Sequence, residues 1–332
     1  LSQRKAIELN PDFPEAHSNL GNILSDLGKL QEAELSQRKA IELNPDFPEA
    51  HFNLGNILRD LGKLKEAELS MRKALKLKPD FAEAYYHLGN LLNSLGKSIE
   101  AEESIVKCLQ TDESYLPAMQ TLSMIKLHQG DNSYLNKLIQ STDSESPFIN
   151  TLKWVSSLPR IPEVFFQRWS FYDAIISKSV INRPFYEFGV YRGASFKYLI
   201  KTFKKGYGFD TFQGLPENWD IFKKGAFSAK GIIPKIDGGS FIEGMFEDTL
   251  PKFFSKPRPI ASVINFDADL YSSTLCALNY CKPIIDAKTI LIFDEFIVHP
   301  NWENDEYKAF NEFCSIHKLN YEVLAVSYST LQ

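Results

Sequence analysis

Residues 1–34 and 35–68 are identical at 31 of 34 positions, differing only at Ser18/Phe52, Ser25/Arg59 and Gln31/Lys65. A third, diverged copy starts at Leu69, and a worn fourth runs from Glu103 to about Gln140. No other feature constrains the fold as much. A unit this short cannot bury its own apolar face, so it must stack on its neighbours as a helical solenoid. Within each unit the pattern predicts two antiparallel helices. Leu20-Gly21, Leu54-Gly55 and Leu88-Gly89 recur in register, followed by Ala33, Ala67 and Ala101, and then by Ala40 and Ala74. Small residues at these places let paired helices approach closely. Turns at Pro45 and Pro79 separate the units, because proline cannot continue a helix yet tolerates its first turn.

With these residues in register, residues 1–140 resemble a tetratricopeptide array. The resemblance implies an all-α solenoid with a concave groove for a protein or peptide partner, or a spacer or a surface for homo-oligomerisation. His17 and His51, replaced by Tyr85 in the third copy, read as helix-packing residues. The fourth copy has Leu122-Ser123 in place of Leu-Gly and is expected to cap the array.

Composition places a boundary after the repeats. Residues 1–140 hold 16 Lys+Arg and 20 Asp+Glu of the chain's 37 and 42, and only four of its 25 Phe. The rest is nearly neutral and aromatic-rich enough for a globular core. A net charge of −5 gives no basic footprint for nucleic acid. No apolar run is long enough for a membrane helix, and no signal peptide opens the chain. Cys108, Cys276, Cys281 and Cys314 form no CxxC pair and read as reduced thiols of a cytoplasmic protein. A start at Leu1 rather than Met is expected of a piece of a longer protein.

Residues 141–160 read as a connector with an apolar centre, Phe148 to Trp154. Residues 161–332 alternate strand and helix: a helix from Pro162 to Ser179, strands at Phe185–Val190, Gly206–Phe209, Phe241–Phe246, Ile260–Phe266 and Thr289–Phe293, and a last strand at Tyr321–Val326. Such alternation predicts an α/β domain on a doubly wound, mostly parallel sheet, whose ligands sit beyond the carboxyl ends of the strands. Unusual residues follow several of these ends. Gly189, Tyr191, Gly193 and Ser195 form a strand-to-helix turn that lets a ligand approach the backbone. Glu187, inside the strand, needs donors such as a ligand's ammonium group if it is buried. Asp210 is placed to accept bonds from ribose hydroxyls, and the missing G-x-G-x-x-G favours a single adenosine over a dinucleotide. Asp267, Asp294 and Glu295 end neighbouring strands as hard oxygen ligands for Mg²⁺. Alternatively, Asp267 or Asp269 caps the helix starting near Ser272.

The stretches EFGVYRGAS (187–195), GFDTFQGLPENW (208–219), GMFEDTLP (244–251), FDADLYSST (266–274) and FDEF (293–296) resemble the macrocin O-methyltransferase family. The resemblance covers about residues 160–326. It implies a Rossmann-like class I methyltransferase fold and S-adenosylmethionine as cofactor. The methionine moiety would lie near Glu187, Gly189, Tyr191 and Ser195, the ribose on Asp210, and the adenine near Phe246 and Glu247. It also implies a divalent metal on Asp267, Asp294 and Glu295, although the family commonly has Asp-Asp at Asp294-Glu295. The acceptor would be a sugar hydroxyl or a glycosylated small molecule, with a metal lowering the hydroxyl pKa. Asp269 is the candidate general base and His299 the second choice. The insertion from Phe212 to Gly239, carrying Trp219, Phe222 and Phe227, is expected to lid the site. The rival expectation is a tetratricopeptide scaffold with a degenerate, non-catalytic nucleotide-binding domain.

Overall fold

The computed structural model describes residues 7, 10–141, 146–166 and 168–328. The chain divides into two compact units, Leu1–Thr142 and Asp143–Gln332. Among the described residues no helix is long and apolar enough to cross a membrane.

The first unit is a stack of helix pairs: α1 (Pro14–Asp26) with α2 (Leu30–Leu43), α3 (Pro48–Asp60) with α4 (Leu64–Leu77), α5 (Ala82–Ser94) with α6 (Ser98–Thr111), and α7 (Leu116–His128) with α8 (Ser133–Ser141). The glycine of each Leu-Gly pair is required by close packing. A Cβ on Gly55 would lie 2.6 Å from Met71 Cγ, and one on Gly89 would lie 2.7 Å from Ile105 Cδ1. Ala33, Ala40, Ala67, Ala74 and Ala101 are fully buried at the same contacts. His17 and His51 each place Nε2 against the carbonyl of the preceding turn proline, at 2.8 and 2.9 Å, so they tie helix to turn. Ion pairs repeat with the period on the second helices. Glu34 meets Arg38 and Lys63, and 34 residues later Glu68 meets Arg72 and Lys97. Such exposed pairs contribute at most about 1 kcal/mol each.

The second unit opens with α9 (Pro147–Ser157), where Ser146 accepts from the Ile149 N–H and Pro147 starts the first turn. These residues lie inside the segment read as a connector whose apolar centre packs, and they form a helix. Trp154 sits against Trp302, Phe296 and Tyr307, and Thr151 Oγ1 accepts from the Val298 N–H at 3.0 Å. Next come β1 (Glu163–Phe165), α10 (Arg168–Lys178), β2 (Phe185–Phe188), α11 (Ala194–Phe203), β3 (Gly206–Asp210) and β4 (Gly239–Glu243). They are followed by α12 (Phe246–Phe253), β5 (Val263–Phe266), α13 (Tyr271–Cys281), β6 (Ile290–Phe293), α14 (Glu306–His317) and β7 (Ala325–Ser327).

Five strands form a parallel sheet in the order β4-β3-β2-β5-β6. From β2 the chain runs outward through β3 and β4, then returns to lay β5 and β6 on the other side of β2. The turns after β2 and β5 therefore diverge and open a crevice at the carboxyl ends. The N-terminal residues of the helix expected from Pro162 to Ser179 instead form β1, because Val164 and Phe165 suit an extended strand. The last strand, expected over Tyr321–Val326, is a short one over Ala325–Ser327. It pairs with β1 in a separate two-stranded sheet rather than with the main one.

Candidate active site

The register of the sheet assembles the site. Phe209, Phe188, Phe266 and Phe293 are partners across β3, β2, β5 and β6, and their rings stack in a row 4.9–5.4 Å apart. One residue further along, the four strands present Asp210, Gly189, Asp267 and Asp294. Backbone bonds carry the ladder one step beyond the strands, from Gly189 N to Phe209 O, Asp267 N to Phe188 O and Asp294 N to Phe266 O. An aromatic floor thus supports three aspartates around a glycine. That glycine has φ +85°, and a Cβ there would lie 1.7 Å from the Asp267 carbonyl oxygen.

Above this row lies a cavity of about 510 Å³. Gly189, Tyr191, Asp210, Phe246, Glu247, Asp267, Asp269, Asp294, Glu295 and His299, all singled out from the sequence, line it. Glu187, Gly193 and Ser195 do not. Glu187 is fully buried one pleat beneath the turn, where Ser195 Oγ donates to its Oε1 at 2.6 Å. Gly193, at φ +72°, caps α11. Asp210 does more than line the cavity. Its Oδ2 accepts from the Val190 and Tyr191 N–H groups at 2.8 and 2.7 Å, and its Oδ1 from Phe212 N–H at 2.6 Å. It clamps the β2 turn to the end of β3.

Crowding sets the charge states. Burial pushes the Glu187 carboxyl up to about 8, against the Ser195 hydrogen bond and Arg168, which favour ionisation. Burial and then Asp294 raise Asp269 to about 7 and Glu295 to about 8, and the same causes raise Asp267 well above the usual range. Asp269 holds a left-handed backbone, φ +60°, which is costly for a non-glycine residue and common at functional turns. His299 turns Nε2 to Glu295 O at 2.8 Å and Nδ1 to Pro300 O at 3.0 Å. Both nitrogens lie against backbone carbonyls, of which a neutral ring donates to one.

The expected metal triad is not assembled. Among the described residues no three Asp, Glu, His or Cys side chains converge on a point suited to a metal. Arg168, which the sequence reading missed, enters the acidic row instead. Its guanidinium lies 3.3 Å from Asp294 Oδ1 and 3.9 Å from Asp267 Oδ2. Glu306 was also missed. It is fully buried and accepts from Thr274 Oγ1 at 3.2 Å and from Glu295 N–H at 3.3 Å, holding the loop after β6 to two helices. Neither residue sits in a motif, so only their spatial neighbours disclose them.

The segment from Phe212 to Gly239 roofs the cavity with Trp219, Phe222 and Phe227. Trp219 and Phe222 stack at 5.8 Å, and Trp219 Nε1 donates to Asp305 Oδ2 at 3.2 Å.

Models of tetratricopeptide repeats match residues 3–34, 21–58, 55–96 and 82–115. The macrocin-O-methyltransferase (TylF) model matches residues 235–330. The chain joins tetratricopeptide repeats to a macrocin O-methyltransferase-like domain. The second match takes in Phe246, Glu247, Asp267, Asp269, Asp294 and Glu295, but not the turns after β2 and β3. Similar solved structures include MamA 41-end from Desulfovibrio magneticus RS-1, at 23% identity over 43% of this chain and 84% of that one, TM-score 0.39. The first TPR of Spaghetti (RPAP3) bound to an HSP90 peptide is 23% identical, over 36% of this chain and 94% of that one, TM-score 0.34. Pseudomonas aeruginosa PilF is 22% identical, over 42% and 68%, TM-score 0.38. No curated protein matches the chain.

Proposed function

We propose that the second unit is an S-adenosylmethionine-dependent O-methyltransferase on a Rossmann-like, doubly wound sheet. Its acceptor is a sugar hydroxyl or a glycosylated small molecule, and the repeats bind a protein or peptide partner. The observation that carries this reading is the row Asp210, Gly189, Asp267, Asp294 beneath one cavity at the switch point of a parallel sheet. The donor set suits the cofactor. Asp210 keeps about one lone pair for a ribose hydroxyl beside its three backbone bonds, because a carboxylate offers about four. Phe246 and Glu247 offer a face and an acceptor to adenine, and Gly189 and Tyr191 line the approach of the methionine moiety. Glu187, Gly193 and Ser195 support that turn from below.

When bound, S-adenosylmethionine supplies an electrophilic methyl group on a sulfonium. The chain's part is orientation and proton removal. Asp269, with its carboxyl raised to about 7, is suited to take the acceptor's hydroxyl proton near neutral pH. The aromatic roof excludes water and offers rings for an acceptor to stack on.

Calorimetry on the full chain tests the reading: S-adenosylmethionine should bind with micromolar-range affinity. Asp210→Ala removes a charged hydrogen-bond partner worth about 1.5–3 kcal/mol, so binding should weaken roughly ten- to hundred-fold. No heat with the wild-type protein refutes the assignment. The rival, a scaffold with a non-catalytic second domain, draws on the three backbone bonds already held by Asp210. It is favoured if cofactor binding fails while a peptide partner co-purifies.

A further inference from the structure

We propose that Arg168 is the resident cation of this pocket, held between Asp267 and Asp294 where the sequence places a divalent metal. Arg168 begins α10, and its guanidinium faces Asp294 at 3.3 Å and Asp267 at 3.9 Å. It lines the cavity with its side chain two-thirds buried. Two rings of its own helix hold it in place, with the guanidinium carbon 5.9 Å from the centroids of both Trp169 and Tyr172. Cation–π attraction of this kind strengthens when the cation is desolvated. Burial, the largest single influence, would lower the guanidinium's proton affinity, but Asp294, Tyr172 and Asp267 together outweigh it and the charge is kept.

The donor set argues the same way. Mg²⁺ demands near-octahedral oxygen ligands at about 2.0–2.1 Å. An ion bridging Asp267 and Asp294 would stand beside a guanidinium that shares both carboxylates, like charge against like. With Arg168 in place, no three acidic side chains converge among the described residues to close the set. Glu295 is anchored through its backbone N–H to Glu306, and its carboxyl keeps one buried oxygen, Oε2, without a hydrogen-bond partner. An arginine in this place is permanently charged and presents planar N–H donors. Its single positive charge offsets one of the two aspartate charges it faces, and it can donate to an acceptor oxygen as its proton leaves. As a positioning group it would make methyl transfer independent of divalent ions.

The test titrates Mn²⁺ into the full chain and follows the free ion by electron paramagnetic resonance, with circular dichroism confirming the fold. The wild type should leave Mn²⁺ free. Arg168→Ala, which uncovers the two aspartates, should take up one ion per chain, and adding Asp267→Asn to that variant should abolish uptake. Should Arg168→Ala not fold, Arg168→Met, which keeps most of the side-chain volume, replaces it. Uptake of one ion by the wild type that Asp267→Asn removes overturns the proposal. So does a folded Arg168 variant that gains no ion. No cofactor is present in this titration, so loss of the methyl-transfer reading leaves its outcome unaffected.

Discussion

Glu187 shows how far a residue's chemistry is set by what lies around it. In an unfolded chain it titrates near 4.5, whereas in the fold it titrates near 8. Between those values the native state holds a proton that the unfolded state has lost, so stability falls as pH rises. Asp269 and Glu295, raised to about 7 and 8, act in the same sense. The second unit should therefore melt several degrees lower at pH 8 than at pH 5, and Glu187→Gln should flatten part of that slope in calorimetric scans. A melting temperature that rises over this range contradicts the assignment. If the cofactor's ammonium group acts near Glu187, binding at pH 7 should also release protons, detectable as a dependence of binding heat on the buffer. Glu187→Gln should reduce the release. The sequence marked Glu187 because a carboxylate inside an apolar strand needs donors. It could not show that Ser195, eight residues on, is one of them.

At the scale of elements, close contacts decide what can be replaced. Gly189→Ala would drive a Cβ to 1.7 Å from a backbone carbonyl in a left-handed conformation. Backbone on both sides leaves nothing to yield, so the β2 turn should separate from β5, with loss of cofactor binding and of the unit's cooperative melting. Gly55→Ala meets a side chain, Met71, at 2.6 Å and should cost about 1–3 kcal/mol of array stability, read from urea unfolding. Equal effects from the two substitutions would refute the distinction between backbone and side-chain contact. The helices of the array were legible because one period repeats every feature, so errors at one copy are corrected by the others. The small sheet of β1 and β7 was not. Its strands are three residues long and nearly the length of the unit apart in sequence, and no local pattern announces such a pairing. The packed helix α9 was masked by Ser- and Pro-rich ends, although Ser146 and Pro147 are a cap and a first turn.

For the whole molecule, two units with separate cores should give two calorimetric transitions. S-adenosylmethionine should raise only the one that Glu187→Gln also moves, because a ligand stabilises the native state that binds it. A single transition shifted as a whole would contradict this. What the sequence by itself determined is local or periodic. The 34-residue repeat dictates a solenoid, since stacking is the one way such units bury their apolar faces. Apolar runs ending in acids dictate strands that carry acids at their carboxyl ends. The tertiary structure alone decided which ends meet. Register sets Asp210, Gly189, Asp267 and Asp294 side by side, and α10 brings Arg168 among them. The physical reason is that a charge acts across a few ångströms of space however far apart along the chain its partners lie. Arg168 and Asp294 are 126 residues apart in sequence and 3.3 Å apart in the fold.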